Sequence, residues 1–333
     1  MSKRGIIRTI LLLFVVCSCF SPIHLVHALV KKQLIIYSPN SQTILSSIIP
    51  AFEEKYNVKI TVVRGSTGVL FQKIKSEKYF PKADLMFGGN AIQLASQEEL
   101  FQPFEIKNRN KLLTEPVSNK IIPYALNGTV IVVNKQLTKH LNIQGYEDLL
   151  KSDLKGKVAF GNPEMSSSAF SHLINMLFFQ SNNQKIISWD FVQQFLKQNK
   201  GIREASSSVI YQDVIEGKMV AGLVYEDMQF SSYHSNILEM VYPKEGTLFM
   251  ASSVSIVKDA QHKKLASLFI DFLLSKRVQE NFVTTSTNRP IRSDIKEKNN
   301  IKPFSSIKSI NIDNKKILKE RKNIYFTKIQ KIS

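Results

Sequence analysis

Leu34-Ile-Ile-Tyr-Ser38, a Ser-containing turn, an amphipathic run to Lys55, a second apolar run from Val58 to Val63 and then Gly65-Ser66-Thr67-Gly68 decide the architecture of this chain. Leu34 to Tyr37 reads as a strand. Leu45, Ile48, Ile49, Phe52 and Tyr56 recur at the spacing of one helix face, with Asn40 or Ser41 placed to cap its start. The pattern repeats at once, with Val58 to Val63 as the next strand and Val69 to Lys78 as a helix opened by the Gly-Ser-Thr-Gly turn. Twice, then, a strand hands over to a helix through small polar residues. Unpaired N–H groups at the helix starts and the positive end of the helix dipole face one crevice, which suits phosphate, sulfate or carboxylate.

The alternation continues outward. Ala83 to Phe87 is a third strand, ending in Gly88-Gly89-Asn90, with a helix from Ala91 to Glu99 behind it. Ile121 to Tyr124 and Val130 to Asn134 are two apolar runs suited to crossing between lobes. Tyr146 to Lys151 reads as a short helix, Lys157 to Phe160 as a strand, and Ser166-Ser167-Ser168 as the turn opening a helix from Ala169 to Phe179. Trp189 to Gln198 is helical, Ser206-Ser207-Ser208 opens a helix through Ile215, and Met219 to Val224 is a strand ending in Tyr225-Glu226-Asp227. Val254 to Val257 and an amphipathic helix from Lys264 to Phe282 return the chain to a packed face. Strand and helix alternation predicts an α/β protein of mostly parallel sheets with helices on both faces, in two lobes joined by crossing strands. Ligands on such sheets sit beyond the carboxyl ends of the strands.

The start of the chain speaks for export. Lys3, Arg4 and Arg8 precede an apolar stretch from Ile10 to Phe20, and Val26-His27-Ala28 offers small residues for cleavage, so residues 1–28 read as a signal peptide. The stretch is too short to span a bilayer, which takes about 20 residues. Both cysteines, Cys17 and Cys19, fall inside it, so the mature chain is expected in the periplasm without thiol or disulfide; the alternative is a lipid anchor on Cys19. The 333 residues carry a net charge of +18, but from Ile295 to Ser333 there are 11 Lys/Arg against 3 Asp/Glu, so much of the excess is terminal. That distribution argues against nucleic acid as a partner and leaves a diffuse field that attracts anionic ligands.

Catalytic readings fail on spacing. Gly65-Ser66-Thr67-Gly68 lacks the Lys of a nucleotide P-loop, no Ser occupies a Gly-x-Ser-x-Gly elbow, and the scattered histidines form no paired metal pattern. His140 and His172 read as surface or helix-packing residues. Binding without turnover is the expectation, with no cofactor and no metal. Each Ser or Thr at a helix start can be a mere cap, yet their recurrence at successive strand-to-helix turns marks a set. Glu226 and Asp227 can complement a helix dipole, or one of them can project into the cleft and meet ligand hydroxyls or an ammonium group. Arg289 can pair with a phosphate or brace the two lobes.

The ordered segments Ile36-Tyr37-Ser38, Gly65-Ser66-Thr67-Gly68, Ala83-Asp84-Leu85-Met86-Phe87-Gly88-Gly89, Gly161-Asn162-Pro163 with Ser166 to Ala169, Gly222-Leu223-Val224-Tyr225-Glu226-Asp227, Val241-Tyr242-Pro243-Lys244-Glu245-Gly246-Thr247 and Thr287-Asn288-Arg289-Pro290 resemble bacterial ABC-transporter solute-binding proteins. The similarity runs from about Leu34 to Asp294 and is to the cluster of ferric-ion, phosphonate and hexose-phosphate binders. It implies a two-lobe, type II periplasmic-binding-protein fold that closes on its ligand and delivers it to an inner-membrane permease driven by a cytoplasmic ATPase. The expected division is lobe 1 from 29–121 and 245–290, lobe 2 from 122–244, and a basic segment 291–333 packed on lobe 2, the whole a monomer. Ferric-ion binders of the cluster place an adjacent Tyr pair and a His where this chain has Tyr225-Glu226 and Asn40, so the resemblance is nearest to the sugar-phosphate type. By that analogy Ser38, Ser66, Thr67, Ser167 and Ser168 hold phosphate oxygens and Glu226 meets hydroxyl or amine groups. Ser41, Gly89, Ser166, Ser207, Asp227 and Arg289 complete the candidate ligand-binding set. The usual Pro after Glu-Asp is Met228 here. The expected function is capture of a hexose phosphate or related organophosphate; the alternatives are a ferric-ion or aminoethylphosphonate receptor, or a sensing receptor for a membrane kinase.

Overall fold

A computed structural model describes residues 32–178, 189–199, 206–285, 287–296, 302–313 and 317–318. The expected signal segment, Cys17, Cys19 and most of the basic tail lie outside the described residues. The first repeat is found as read. Strand β1 (Lys32–Ser38) leads through Pro39-Asn40-Ser41 into helix α1 (Gln42–Tyr56), whose Leu45, Ile48 and Phe52 are buried. Helix α1 stops at Asn57, which adopts the left-handed conformation (φ 48°) that Asn tolerates better than most side chains. Strand β2 (Val58–Arg64) then feeds α2 (Thr67–Ser76). Strand β3 (Leu85–Asn90) is wholly buried and ends in Gly88 and Gly89, both at positive φ (116° and 91°). A Cβ at Gly88 would sit 2.6 Å from Asn40 Oδ1, so the strand end and the β1 turn approach closely only because Gly88 has no side chain.

The remaining elements are α3 (Ala91–Ala95), β4 (Phe101–Gln102), β5 (Ile122–Asn134), β6 (Val158–Ala159), α4 (Ser167–Phe178), α5 (Asp190–Gln198), α6 (Ser207–Ile215), β7 (Ala221–Tyr225), α7 (Met228–Tyr233), β8 (Leu238–Val241), β9 (Thr247–Val257), α8 (Lys263–Leu273), α9 (Lys276–Thr285), β10 (Arg289–Pro290) and β11 (Ser309–Ile310). Three readings change. The apolar runs at 121–124 and 130–134 are the two ends of one 13-residue strand, because Asn127 and Gly128 between them stay extended against Met250 and Phe249 of β9. The helix read from Lys264 to Phe282 is two helices, broken at Leu274-Ser275, where the Ser275 hydroxyl donates to Phe272 O (2.6 Å) in place of a continuing backbone ladder. The short helices at 91–99 and 146–151 are α3 plus a 3-10 turn at Glu98–Leu100, and a 3-10 turn at Glu147–Leu150.

Sheet order is β2-β1-β3-β9-β5-β7-β6, with β4 and β11 on β9 and β8 and β10 on β5. Pairing is parallel for β1–β3 and β6–β7, where helices make the crossovers. The two long strands β5 and β9 run antiparallel to each other, to β3 and to β7. They cross between two hydrophobic cores. Ile122, Tyr124 and Ala125 of β5 and Val254, Ile256 and Val257 of β9 pack with β1, β3, α1 and α8. Ile131 and Val133 of β5 with Leu248 and Met250 of β9 pack with α4 and α5, while Val130 and Val132 meet α6. This is the two-lobe, type II arrangement, with each lobe a sheet covered by helices.

The described part of the C-terminal segment follows β9. β11 pairs with Thr247 and Leu248, Phe304 packs at a tilt against Phe249 (4.6 Å between centroids), Lys302 lies over the Tyr242 ring (5.0 Å), and Ile317 is buried in the second core. Ile291, by contrast, belongs to the first core.

Candidate functional site

Strand-to-helix turns from both cores open onto one cavity of about 120 Å³. Pro39, Asn40, Ser41 and Ile44 come from the start of α1, Ser66 and Thr67 from the start of α2, and Gly89 from the end of β3. Ser166, Ser167 and Ser168 come from the start of α4, Ser206, Ser207, Ser208 and Tyr211 from α6, Tyr225, Glu226 and Asp227 from the end of β7, and Asn127 and Ser252 from the crossing strands. Four helices, α1, α2, α4 and α6, thus aim their N-termini at the same volume. Each brings unpaired N–H groups and roughly half a positive charge. Ser206 and Ser66 stand at N-cap positions without capping their helices, and the buried Ser66 Oγ has no hydrogen-bond partner. Among the described residues lining the cavity there is no Lys, Arg or His.

Hydroxyl groups are linked across the two walls. Thr67 Oγ1 lies 2.9 Å from Ser167 Oγ, which donates to Gln93 Oε1 (2.5 Å) and accepts from the Asn90 amide (3.1 Å). The Gly68 amide donates to Met165 O (3.0 Å), and a Cβ at Gly68 would meet the Met165 Cα at 2.9 Å and Glu164 O at 3.1 Å. Ser166, Ser168 and Ser207 form a chain of hydroxyls with spacings of 3.1 and 2.5 Å. Tyr225 shares its hydroxyl with Ser171 (2.6 Å) and Ser167 O (3.1 Å); burial raises its pKa to about 12, so it stays a neutral donor.

Of the candidate residues, Ser41, Ser66, Thr67, Gly89, Ser166, Ser167, Ser168, Ser207, Glu226 and Asp227 line the cavity together. Ser38 and Arg289 do not. The Ser38 hydroxyl is donated to Phe87 O (2.6 Å) and accepts from the Asn40 amide (3.2 Å), bracing the turn instead of facing it. Arg289 is sequestered by Glu226: Nε donates to Oε1 at 2.7 Å and Nη2 to Oε2 at 3.1 Å, with both side chains at most 2% exposed. The Tyr242 hydroxyl donates to Oε2 (2.8 Å) and the Gly128 amide to Oε1 (3.1 Å), so both oxygens of Glu226 are taken up by the protein although the residue borders the cavity. Burial alone would lower the guanidinium pKa; the adjacent Glu226 carboxylate outweighs it and holds the pKa above its ordinary value.

Asp227 is different. Its Oδ1 accepts from the Phe230 amide (3.0 Å) and caps α7, while burial pushes the carboxyl above the usual range and hydrogen bonds from Phe230 and the Ser41 hydroxyl pull it part of the way back. The sequence reading missed Asn127, Ser252 and Tyr211. The first two sit mid-strand on β5 and β9, where only the lapse in apolar character marks them; Tyr211 lies inside a helix whose periodicity assigns it to the core. Among the described residues no group of three or more His, Cys, Asp or Glu side chains is placed to hold a metal ion, and no helix is long and apolar enough to cross a membrane.

The model of the bacterial extracellular solute-binding proteins matches residues 34–285. The chain belongs to that family. Proteins of this family deliver small ligands to an ABC permease, and the family and its structural neighbours are binding proteins. A solved structure of AfuA from Actinobacillus pleuropneumoniae, with exogenous fructose-6-phosphate bound, superposes with a TM-score of 0.78 at 24% identity, covering 91% of this solute-binding protein and 99% of AfuA. Iron uptake protein A1 of Synechocystis sp. is 22% identical, over 84% of this chain and 81% of its own. A candidate 2-aminoethylphosphonate-binding periplasmic protein of Salmonella typhi is 23% identical, over 74% of this chain and 73% of its own.

Proposed function

We propose that this solute-binding protein captures a phosphorylated small molecule, a hexose phosphate or related organophosphate, in the cavity between its two lobes and hands it to an inner-membrane ABC permease. The observation that carries this reading is the convergence of four helix N-termini, with Thr67, Ser167 and their neighbouring hydroxyls, on one cavity. Such a site stabilises a tetrahedral oxyanion through neutral donors and dipoles. A hard trivalent cation asks for several anionic ligands, and here Glu226 is already paired with Arg289. The fructose-6-phosphate seen in AfuA supports this ligand class, whereas the name of the Salmonella relative speaks for the alternative, a phosphonate.

In this reading Ser41, Ser66, Thr67, Ser166, Ser167, Ser168 and Ser207 contact the ligand, Gly89 lets the walls approach, and the hinge lies within β5 and β9. Lobe 1 is then 29–121 with 245–290 and lobe 2 is 122–244, with Ile122–Ala125 packed on the first core. The protein works as a monomer in the periplasm, consistent with the basic and apolar start of the chain and with the periplasmic relative. A thermal-shift screen over glucose 6-phosphate, fructose 6-phosphate, 2-aminoethylphosphonate, inorganic phosphate and ferric iron tests it. A ligand present at 100 times its Kd adds about 2.7 kcal/mol to the stability of the folded state. A response to an organophosphate supports the proposal; a response confined to ferric iron sinks it.

A further inference from the structure

The turn that follows α2 shows its aromatic side chains to water. After Ser76 the chain runs Glu77-Lys78-Tyr79-Phe80-Pro81-Lys82 on its way to β3, and Tyr79 is 78% exposed and Phe80 84%. Rings of this size are ordinarily taken into a core, and two adjacent ones left outside form a patch. The turn is braced. The Phe80 amide donates to Glu77 O (2.9 Å), Gln261 Nε2 donates to Pro81 O (3.2 Å), and the Glu77 carboxylate is fixed by the Tyr37 hydroxyl (2.8 Å) and Lys73 (2.9 Å). The framework therefore holds the rings outward.

Lysines surround the pair. Lys75, Lys78 and Lys82 are exposed, and Lys78 Nζ lies 4.6 Å over the Tyr79 ring. A cation in the last turn of a helix complements its dipole, which accounts for Lys73 and Lys75 but not for Lys78, Lys82 or the rings. The acids nearby do not cancel this charge. Glu77 is taken up by Lys73 and Tyr37, while Glu99 and Asp259 line an adjoining cavity of about 340 Å³ together with Lys78 and Lys258, which match them. Six residues of turn offer too little area for a stable protein interface, which buries about 1,200 Å² or more. Aromatic rings set among lysines fit instead a surface that is apolar just beneath a layer of negative charge, the make-up of an anionic bilayer.

We propose that the turn 77–82 docks on an anionic phospholipid surface, with Tyr79 and Phe80 entering at headgroup level and Lys75, Lys78 and Lys82 meeting the lipid phosphates. The turn lies at the end of α2 remote from the ligand cavity, about 15 Å along the helix, so attachment leaves the cleft clear. The receptor is thereby confined to the membrane face that carries a permease. Nothing in this inference depends on which solute the cleft takes.

The test is co-sedimentation of the exported chain with vesicles of phosphatidylcholine alone and of phosphatidylcholine with an equal part of phosphatidylglycerol. Wild-type protein is expected to bind the mixed vesicles at least tenfold more tightly than the neutral ones, with the difference shrinking as salt is raised. The double variant Tyr79→Ser/Phe80→Ser keeps every charge, the basic C-terminal segment included, and is expected to bind mixed vesicles at least tenfold more weakly. Each lysine near such a surface contributes about fivefold, so Lys75→Gln/Lys78→Gln/Lys82→Gln loses tenfold or more. The indole introduced by Phe80→Trp should shift its emission to the blue on mixed vesicles and not on neutral ones, read as a difference from the wild-type spectrum. Mixed vesicles that fail to bind the wild type overturn the proposal. So does a double variant that binds as the wild type does, since charge elsewhere then carries the attachment. A dimer seen by sedimentation velocity, lost in the double variant and indifferent to vesicles, would assign the patch to a second copy of the chain and overturn it too.

Discussion

His172 shows what burial does to a single residue. It sits inside α4, fully buried, with Nε2 2.8 Å from Val224 O and Nδ1 2.8 Å from the Tyr146 hydroxyl. A carbonyl only accepts, so Nε2 carries the proton and Nδ1 accepts from Tyr146. Burial lowers its pKa to about 4, against a partial lift from the Val224 carbonyl, so the folded protein holds the ring neutral. The unfolded chain protonates it near pH 6.5. Its contribution to stability is therefore complete above that value and drains away as the pH falls toward 4, by on the order of 3 kcal/mol. Urea unfolding at pH 7.5 and pH 4.5 should show a drop that is markedly smaller in His172→Gln; an equal drop in both proteins would assign the acid sensitivity elsewhere. The sequence suggested a surface or helix-packing residue here, and full burial inside α4 decides for packing. Nothing local, however, distinguishes Glu226 from Asp227. Adjacent acids at a strand end differ only in what the third dimension sets beside them, and Arg289 is 63 positions from its Glu226 partner.

At the scale of elements, α2 and α4 meet end to end, and Gly68 is the point of contact. The backbone at Met165 and Glu164 lies where a Cβ would project, and backbone does not give way as a flexible side chain does. Alanine at a helical position is better than glycine by up to about 1 kcal/mol, so the substitution favours α2 itself. In the proposed hinge reading, where the walls part without ligand, Gly68→Ala should leave the unliganded melting temperature unchanged or raised while weakening ligand binding about tenfold or more, because only the closed approach of the two walls suffers. Calorimetry beside thermal unfolding separates the two effects, and a loss of both stability and affinity would count against the contact as the cause. Helix starts at 42, 67, 167 and 207 were legible because Ser and Thr precede apolar stretches of helical period. The break between α8 and α9 was not, since Leu274-Ser275 contains neither Gly nor Pro and the apolar spacing runs through it. The unity of β5 escaped for a similar reason: Asn127-Gly128 is extended only because Met250 and Phe249 pair with it.

For the molecule as a whole, the Glu226–Arg289 pair is a clasp at the crossing. Arg289 belongs to β10, paired with Leu126 of β5, and its guanidinium lies 5.3 Å over the Phe249 ring of β9; Glu226 follows β7 in the second lobe. Removing the cation leaves a carboxylate buried without its partner, a loss of about 3 to 5 kcal/mol for pairs of this kind. Arg289→Met is expected to destabilise by that order in urea unfolding, and the double variant with Glu226→Gln to recover much of the loss; a double variant no more stable than the single one would deny the clasp its charge pairing. The amino-acid sequence by itself determined that strands and helices alternate and that small hydroxyl residues open the helices, because period and capping are properties of neighbouring residues. Only the tertiary structure decided which hydroxyls share a cavity and that Ser38 and Arg289 serve the framework instead, because these depend on the meeting of segments tens to hundreds of residues apart, which the pairing of β5 with β9 brings about.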